Sequence, residues 1–478
     1  MEKSLDHKFA HPSLLVLGFA IQGILFLTLG CNDTSKRDIH PSDPTLGLQI
    51  FHASDLETYA LSEAQCDPTS QIPDVIQTLE LYRWQDGILD RGTLDLSTLG
   101  IHTTPIASNA VSGVYMDGVF RRSCDSDIAA PPRCALPSNN AVGWRQVSSG
   151  TPLKACRSAM APARDSLEHL ALSAIAAIES ASLALKPLLP PDTVIPAIAV
   201  MVTPRFESLW LPWIMNGKNV TYEQVLGDNL AYFPPTSETP PYIALLPKRK
   251  SSSETLRLWE SSFVISHEFG HHIERSLALD HFDEQRSHMR IAASEGFADI
   301  MAYASLGMSS RALKGIPCIG ADRSPELPEF NTGMAKIISK SLLTRLSDAS
   351  GMMFQEFETM ENCQGTLPHS PHGLGAIFAH WILQFSTYTP AHERSPSTAL
   401  ANLAVGWLKQ VNQRMAAGGG SPENELAEIA RAFEASVTQQ FTAPDHPLTE
   451  NVRALLREKL IFAFPTLKNL TWFTEVPL

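Results

Sequence analysis

The sequence has little positive charge, and that shortage excludes one broad class of partner. Among its 478 residues, 37 are Lys or Arg and 50 are Asp or Glu, which gives a formal net charge of −13 at pH 7. The longest basic run is three residues, at 248–250. Proteins that bind nucleic acid carry basic patches that attract the phosphates. We therefore expect no nucleic-acid partner.

The chain also lacks internal repeats, sustained low-complexity tracts and the paired-cysteine spacing of a zinc ribbon. Its hydrophobic content of 44% is ordinary for a globular protein, and its length allows two or three domains. The 34 prolines are numerous and gather in loops. A globular chain with more than one domain is therefore expected.

The N-terminus has the pattern of an export signal. Lys3 and Lys8 precede an uncharged, mostly apolar run at 13–30, and Cys31 follows at once. Such a run is typical of a secretory signal and slightly short for a membrane-spanning helix. Its end, Thr-Leu-Gly-Cys, resembles a bacterial lipobox, so we expect 1–30 to be a signal peptide and a lipid on Cys31 to hold the protein at the cell envelope, in the outer membrane or periplasm. Ordinary cleavage with secretion, or a retained anchor helix, are the alternatives.

The cysteine count fits export. Setting Cys31 apart from the seven cysteines leaves six, an even number, which predicts three disulfides in an oxidising compartment. We expect Cys318 to pair with Cys363, and scattered free thiols are the alternative. The other four cysteines lie in the N-terminal third, at Cys66, Cys124, Cys134 and Cys156.

Hydrophobic periodicity and turn residues divide the chain into segments. In order, we predict a tether at 31–75, a cysteine-containing strand-and-loop region at 76–160, a catalytic lobe at 161–310 and a helical lobe at 311–478. Strands are expected at 197–202, 229–233 and 242–246. Prolines close to the last two are typical of a sheet edge, where an extended peptide could be added. Helices are expected at 165–185, 256–278, 288–306, 331–347, 372–386, 396–416, 423–438 and 447–462.

The strongest chemical signal is His267-Glu268-Phe-Gly-His271, in a mostly apolar stretch. On a helix, residues i and i+4 face the same way. The two imidazoles could then hold one Zn²⁺, with Glu268 beside its open coordination position. Burying these three polar side chains without a metal or other partners would be costly. The pattern therefore predicts a zinc site on a buried helix.

A third ligand is expected from a carboxylate on a following helix. The metzincin class is excluded because Glu274 and Leu277 stand where it has Gly and His. Glu295 and Asp299 are again i and i+4, among apolar residues. One carboxylate could bind the metal while the other accepts a hydrogen bond from the second nitrogen of a ligand histidine.

These segments resemble the gluzincin metallopeptidases of thermolysin and fungalysin type. The resemblance lies in His267-Glu-Phe-Gly-His271 and Glu295-Gly-Phe-Ala-Asp299, and His372-Gly-Leu-Gly-Ala-Ile-Phe-Ala is similar to fungalysin's His-x-x-Gly-Glu-x-Trp-Ala segment. It implies an α+β fold of the thermolysin-like two-lobe kind. A strand-bearing N-terminal lobe, a central zinc helix and a helical C-terminal lobe would follow one another.

The resemblance also implies which residues hold the metal. His267, His271 and Glu295 would bind one Zn²⁺, and Asp299 would orient a ligand histidine. Calcium binding is left open.

The catalytic roles are implied in the same way. Glu268 would be the general base, and His372 would donate to the oxyanion, with His369 as the competing candidate three residues earlier. No tyrosine lies between the second zinc histidine and the third ligand, where the family has another oxyanion donor. His281 and His288 are candidate substitutes.

The expected function is that of a zinc metalloendopeptidase acting on a protein or peptide. The chain lacks the Gly-x-Met-Glu-Asn element of aminopeptidase relatives, which favours endopeptidase cleavage. One alternative is a catalytically inactive envelope protein that keeps the gluzincin fold for binding or scaffolding. Another is a zinc hydrolase that cuts a different acyl group.

Overall fold

The computed structural model describes fifteen stretches of the chain. They are 49–52, 78–85, 88–103, 105–116, 118–122, 144–153, 167–202, 205–208, 229–235, 240–246, 261–277, 288–307, 371–386, 396–415 and 422–441. The seven cysteines, His281, His369 and the helices predicted at 331–347 and 447–462 lie outside these ranges.

The described residues mix helices and sheets, in agreement with the predicted α+β class. The thirteen strands are β1 (Gln49–His52), β2 (Thr78–Gln85), β3 (Ile88–Asp95), β4 (His102–Thr103), β5 (Ile106–Ala107), β6 (Val111–Met116), β7 (Val119–Arg122), β8 (Trp144–Ser148), β9 (Thr151–Pro152), β10 (Ile198–Val202), β11 (Arg205–Ser208), β12 (Asn229–Phe233) and β13 (Tyr242–Leu246). The six α-helices are α1 (Leu167–Leu185), α2 (Ser262–Ser276), α3 (His288–Ser305), α4 (Pro371–Ser386), α5 (Pro396–Met415) and α6 (Pro422–Phe441).

A five-stranded mixed sheet carries the part of the fold that matters for the site. Its strand order is β12-β13-β10-β6-β9, with β10 parallel to both neighbours and the outer strands antiparallel. All five residues of β10 are buried. A continuous apolar run of this kind is typical of a parallel strand covered on both faces.

Three further sheets lie within the described residues. Strands β1, β11, β7 and β8 form one sheet in that order, β2 pairs with β3, and β4 pairs with β5. Eight of the strands lie between residues 78 and 152, inside the predicted strand-and-loop region.

Helix α1 is the core element behind the sheet. It contacts β6 and β10 as well as α2 and α3, and most of its residues are buried. Its length and hydropathy would also suit a membrane span. However, Glu179 is buried on this helix and accepts a hydrogen bond from the Ala110 amide at 2.8 Å. We therefore regard α1 as a core helix.

Most predicted element bounds agree with the structure to within a few residues, with two corrections. Helix α2 begins at Ser262, not near 256, because the Ser261 side chain caps it by accepting a hydrogen bond from the Val264 amide. Of the two strands expected at a sheet edge, β12 lies at an edge, whereas β13 lies inside the sheet. The prolines at 240–241 precede β13, so its hydrogen-bond ladder stays intact.

Helix α3 lies at the centre of the helical part and contacts α1, α2, α4, α5 and α6. Every described residue after 277 that belongs to regular structure is helical. The order of strands, α2 and helices therefore follows the predicted order along the chain.

Candidate metal centre

Helix α2 carries the two histidines on one buried face. Its apolar residues Phe263, Phe269 and Ile273 are fully buried, which fixes the rotation of the helix against the core. The imidazole rings of His267 and His271 then lie 4.8 Å apart, centroid to centroid, and meet edge to face at 87°. The predicted i, i+4 pair is therefore a real side-chain pair.

Glu295 on α3 completes a group of three. His267 Nε2 lies 3.1 Å from Glu295 Oε2, and His271 Nε2 lies 3.7 Å from Glu295 Oε1. One ligand atom from each residue falls within 4.8 Å of the others. Tetrahedral zinc with bonds of about 2.1 Å holds its ligand atoms about 3.4 Å apart. The donor set therefore fits a metal ion, with two nitrogens and a carboxylate converging on one point.

Asp299 fixes the orientation of His267. Its carboxylate is fully buried, and Oδ1 lies 2.8 Å from His267 Nδ1. A carboxylate accepts a hydrogen bond, so Nδ1–H donates, and a neutral imidazole then has its lone pair on Nε2, the nitrogen that faces Glu295. This is the position that the sequence predicted for an orienting carboxylate.

The second histidine has a different pair of partners, which the sequence prediction missed. His271 Nδ1 lies 3.2 Å from Ser294 Oγ and 3.5 Å from Glu274 Oε2. Ser294 Oγ in turn donates a short hydrogen bond to Glu274. The sequence contained one signal for these partners: Glu274 is a charged residue three positions after His271 on a mostly apolar helix.

Surrounding carboxylates make the pKa of His271 high. Burial alone would lower this pKa, but the charge of Glu295, hydrogen bonds to Glu274 and Glu295 and the charge of Glu268 raise it to about 10. A positive charge at this point is therefore strongly favoured, and a bound cation would take the place of that proton.

Glu268 is held by the edge strand of the five-stranded sheet. The backbone N–H of Tyr232, on β12, donates to Glu268 Oε2 at 2.8 Å. The Tyr232 ring stacks on His271, with centroids 6.4 Å apart and planes 20° apart. Tyr232 is a second residue that the sequence prediction missed, because nothing in its local pattern relates it to a helix more than thirty residues later.

The neighbouring His272 anchors the same helix to the sheet region. Its Nε2–H donates to the Pro196 carbonyl at 2.7 Å, and Nδ1 lies 3.4 Å from the Tyr232 hydroxyl. Burial lowers the pKa of His272 to about 4, against an opposing effect of the bond to Pro196. His272 is therefore neutral near pH 7 and serves to position α2 relative to β12.

Three glycines allow the helices of the site to touch backbone to backbone. A Cβ on Gly270 would lie 2.8 Å from Ala298 Cα, and one on Gly296 would lie 2.6 Å from the Gly375 carbonyl oxygen. A Cβ on Gly375 would lie 2.7 Å from Glu295 Cβ. Side chains at these positions would separate α3 from α2 and α4, and would move Glu295.

Gly375→Ala should therefore lower both stability and zinc affinity. The new Cβ would meet backbone atoms of α3, and overpacking of this kind costs about 1–3 kcal/mol. Gly406→Ala on α5 is the matched control, because its nearest neighbours are 3.9 Å away and alanine favours a helix. Chemical denaturation and zinc titration of both variants would check this. Equal stability of the two variants would contradict it.

The structure brings together five of the predicted site residues: His267, Glu268, His271, Glu295 and Asp299. His372 lies in the first turn of α4, one turn before Gly375, which contacts α3 beside Glu295. The catalytic role of its side chain stays a prediction. His288 is the first residue of α3.

Comparison of the chain with protein-family models, curated proteins and solved structures gives no match.

Proposed function

We propose that this protein is a zinc-dependent metalloendopeptidase of gluzincin type, with a thermolysin-like two-lobe fold. The observation that supports it best is the buried convergence of His267, His271 and Glu295, with Glu268 on the same helix but outside that group. Metal binding alone would require only His267, His271 and Glu295. The additional carboxylate beside them supports hydrolysis.

The chain's own residues account for the chemical step. His267, His271 and Glu295 would hold Zn²⁺. When bound, the ion would act as a Lewis acid that lowers the pKa of water and polarises a carbonyl. Glu268 accepts the proton of the attacking water and delivers it to the leaving amine. The Tyr232 amide orients the Glu268 carboxylate for this transfer.

The edge of β12 that faces away from β13 suits an extended peptide. Within the described residues β12 pairs only with β13, and the Tyr232 amide on its other edge points to α2. In an antiparallel strand the N–H and C=O of one residue point to the same side, so this edge faces the proposed metal centre. A protein or peptide substrate would add to it by hydrogen bonds to main-chain groups other than the Tyr232 amide, which donates to Glu268.

Metal analysis of the purified full chain, together with a peptide-library digest, tests the proposal. We expect about one zinc per chain, internal cleavage of peptides, loss of cleavage with a chelator and recovery with added zinc. Zinc binding without cleavage of any peptide would favour the inactive binding protein. Cleavage of esters or other amides, but not peptides, would favour the alternative hydrolase.

His372 is proposed as the oxyanion donor, with His369 as its competitor. His372→Ala should lower kcat by roughly 100-fold or more, the scale of a lost oxyanion donor. Zinc content should stay unchanged, because the proposed metal ligands are His267, His271 and Glu295. His369→Ala is the matched control and should remain near wild type. A large loss in His369→Ala, with His372→Ala near normal, would assign the role to His369.

We also propose that the protein is exported and anchored by a lipid on Cys31. Wild-type protein should partition with membranes, and Cys31→Ser should be soluble, because the acyl chains of a lipoprotein supply the anchoring. Cell fractionation and mass spectrometry of the mature N-terminus would check this. A mature protein that retains residues upstream of Cys31 would indicate an uncleaved helix instead.

A further inference from the structure

Glu274 is a buried carboxylate to which the proposed hydrolysis assigns no step. It lies on α2, three residues after His271, and is only 1% exposed. A buried carboxylate is strongly disfavoured unless it is paired or hydrogen-bonded. The partners of Glu274 therefore indicate why a carboxylate is retained there.

The hydrogen bonds around Ser294 have a defined direction. The Ser294 hydroxyl donates to Glu274, so its oxygen presents a lone pair to His271 Nδ1, 3.2 Å away. His271 Nδ1–H must then be the donor in that contact. In the neutral imidazole that metal binding requires, the lone pair is then on Nε2, the nitrogen that lies 3.7 Å from Glu295.

We infer that Glu274, acting through Ser294, is the positioning carboxylate of His271. The inference rests on the proposed metal site and extends it. Asp299 contacts His267 directly, at 2.8 Å. Glu274 approaches His271 Nδ1 to 3.5 Å and is joined to it more closely through Ser294, whose hydroxyl oxygen lies 3.2 Å from that nitrogen. The direct contact and the relay select the same tautomer, so both histidines direct Nε2 at Glu295.

The two helices contribute complementary parts of this relay. Glu274 comes from α2, and Ser294 comes from α3 directly before Glu295. A change in the relay would therefore alter the orientation of one ligand and the surroundings of another. Carboxylates placed behind a ligand histidine also raise its basicity, which strengthens metal binding.

A purely structural role for the same hydrogen bonds predicts a different result. If Glu274 and Ser294 only join α2 to α3, their loss should lower the stability of the metal-free protein and leave its zinc affinity intact. A positioning role requires a loss of zinc affinity in protein that is still folded. Zinc affinity and metal-free unfolding temperature therefore have to be measured separately.

The experiment compares Glu274→Gln, Ser294→Ala and the double variant in the full chain. Zinc dissociation constants come from competition with a chromogenic chelator, and folding of the metal-free protein is followed by circular dichroism. Each single variant should bind zinc about 10 to 100-fold more weakly. The double variant should be little weaker than either single one, because both changes interrupt one relay. The absorption spectrum of the Co²⁺-substituted protein should also change in both single variants.

Ser276→Ala is the matched control on the same helix. Its hydroxyl donates to the His272 carbonyl at 2.8 Å. Since it has no place in the relay, its zinc affinity should equal that of the wild type. If Glu274→Gln does not fold, the zinc affinity of the smaller Ser294→Ala variant tests the positioning role by itself.

The outcomes separate this inference from the proposed function. Zinc affinity within twofold of wild type in both single variants would overturn the positioning role. A wild-type protein that binds zinc but cleaves nothing would overturn the hydrolytic function and leave the relay intact. A wild-type protein that binds no zinc would overturn both.

Discussion

Glu268→Gln is expected to abolish peptide hydrolysis while zinc stays bound. The amide cannot accept the proton of the attacking water, and general base catalysis typically contributes 10² to 10⁴-fold. Glu268 contacts the Tyr232 amide and lies outside the group of three that could hold the metal, so zinc content should not change. Steady-state kinetics and metal analysis of the same preparation would measure both.

The same substitution at Glu434, on α6, provides the control for Glu268→Gln. It removes one carboxylate from the helical part of the chain and should leave kcat unchanged. Activity of Glu268→Gln within about tenfold of wild type would exclude Glu268 as the base, since that loss is below the range of general base catalysis.

Glu295→Ala and Asp299→Ala should differ sharply in zinc affinity. Glu295 faces Nε2 of both histidines, so its loss removes a ligand and should prevent stoichiometric binding. Asp299 contacts the far nitrogen of His267, and its loss should weaken binding by roughly 10 to 100-fold. Chelator competition would measure both constants.

Two structural features help to separate ligand loss from general destabilisation when Glu295→Ala and Asp299→Ala are compared. The residues are one turn apart on α3, so the two variants disturb the same helix to a similar degree. Asp299 is the more buried residue, and a purely structural effect would therefore be larger there. If Asp299→Ala loses the metal and Glu295→Ala retains it fully, the two roles are exchanged.

Local sequence patterns were sufficient for the described helices, for β10, β12 and β13, and for the core of the metal centre. They missed β11 and also β1, which lies inside the predicted tether. The apolar run of β10 and the proline-bounded β12 and β13 have clear ends, and α3 to α6 begin and end within three residues of the prediction. The i, i+4 spacing alone placed His267 beside His271, and Glu295 beside Asp299. These features depend on one helix at a time, which the sequence specifies directly.

Features that depend on how elements cross could not be predicted. The pairing of β10 with β6 joins residues more than eighty positions apart. The contact of Ser294 with Glu274 depends on the close approach of α3 to α2 at Gly270. The contact of Tyr232 with Glu268 depends on where β12 meets α2. Residue spacing along the chain does not specify these contacts, because packing between elements determines where they cross.

The glycine contacts also determine how the protein would respond thermodynamically to an arriving ion. At Gly270 and Gly296 the spacing between helices is set by main chain, which cannot change rotamer. We therefore expect the ligand-bearing helices α2 and α3 to move together and the proposed metal site to be preorganised before an ion enters. Binding should order few additional groups, so calorimetry should show a small heat-capacity change, unlike that of a small zinc domain that folds around its ion.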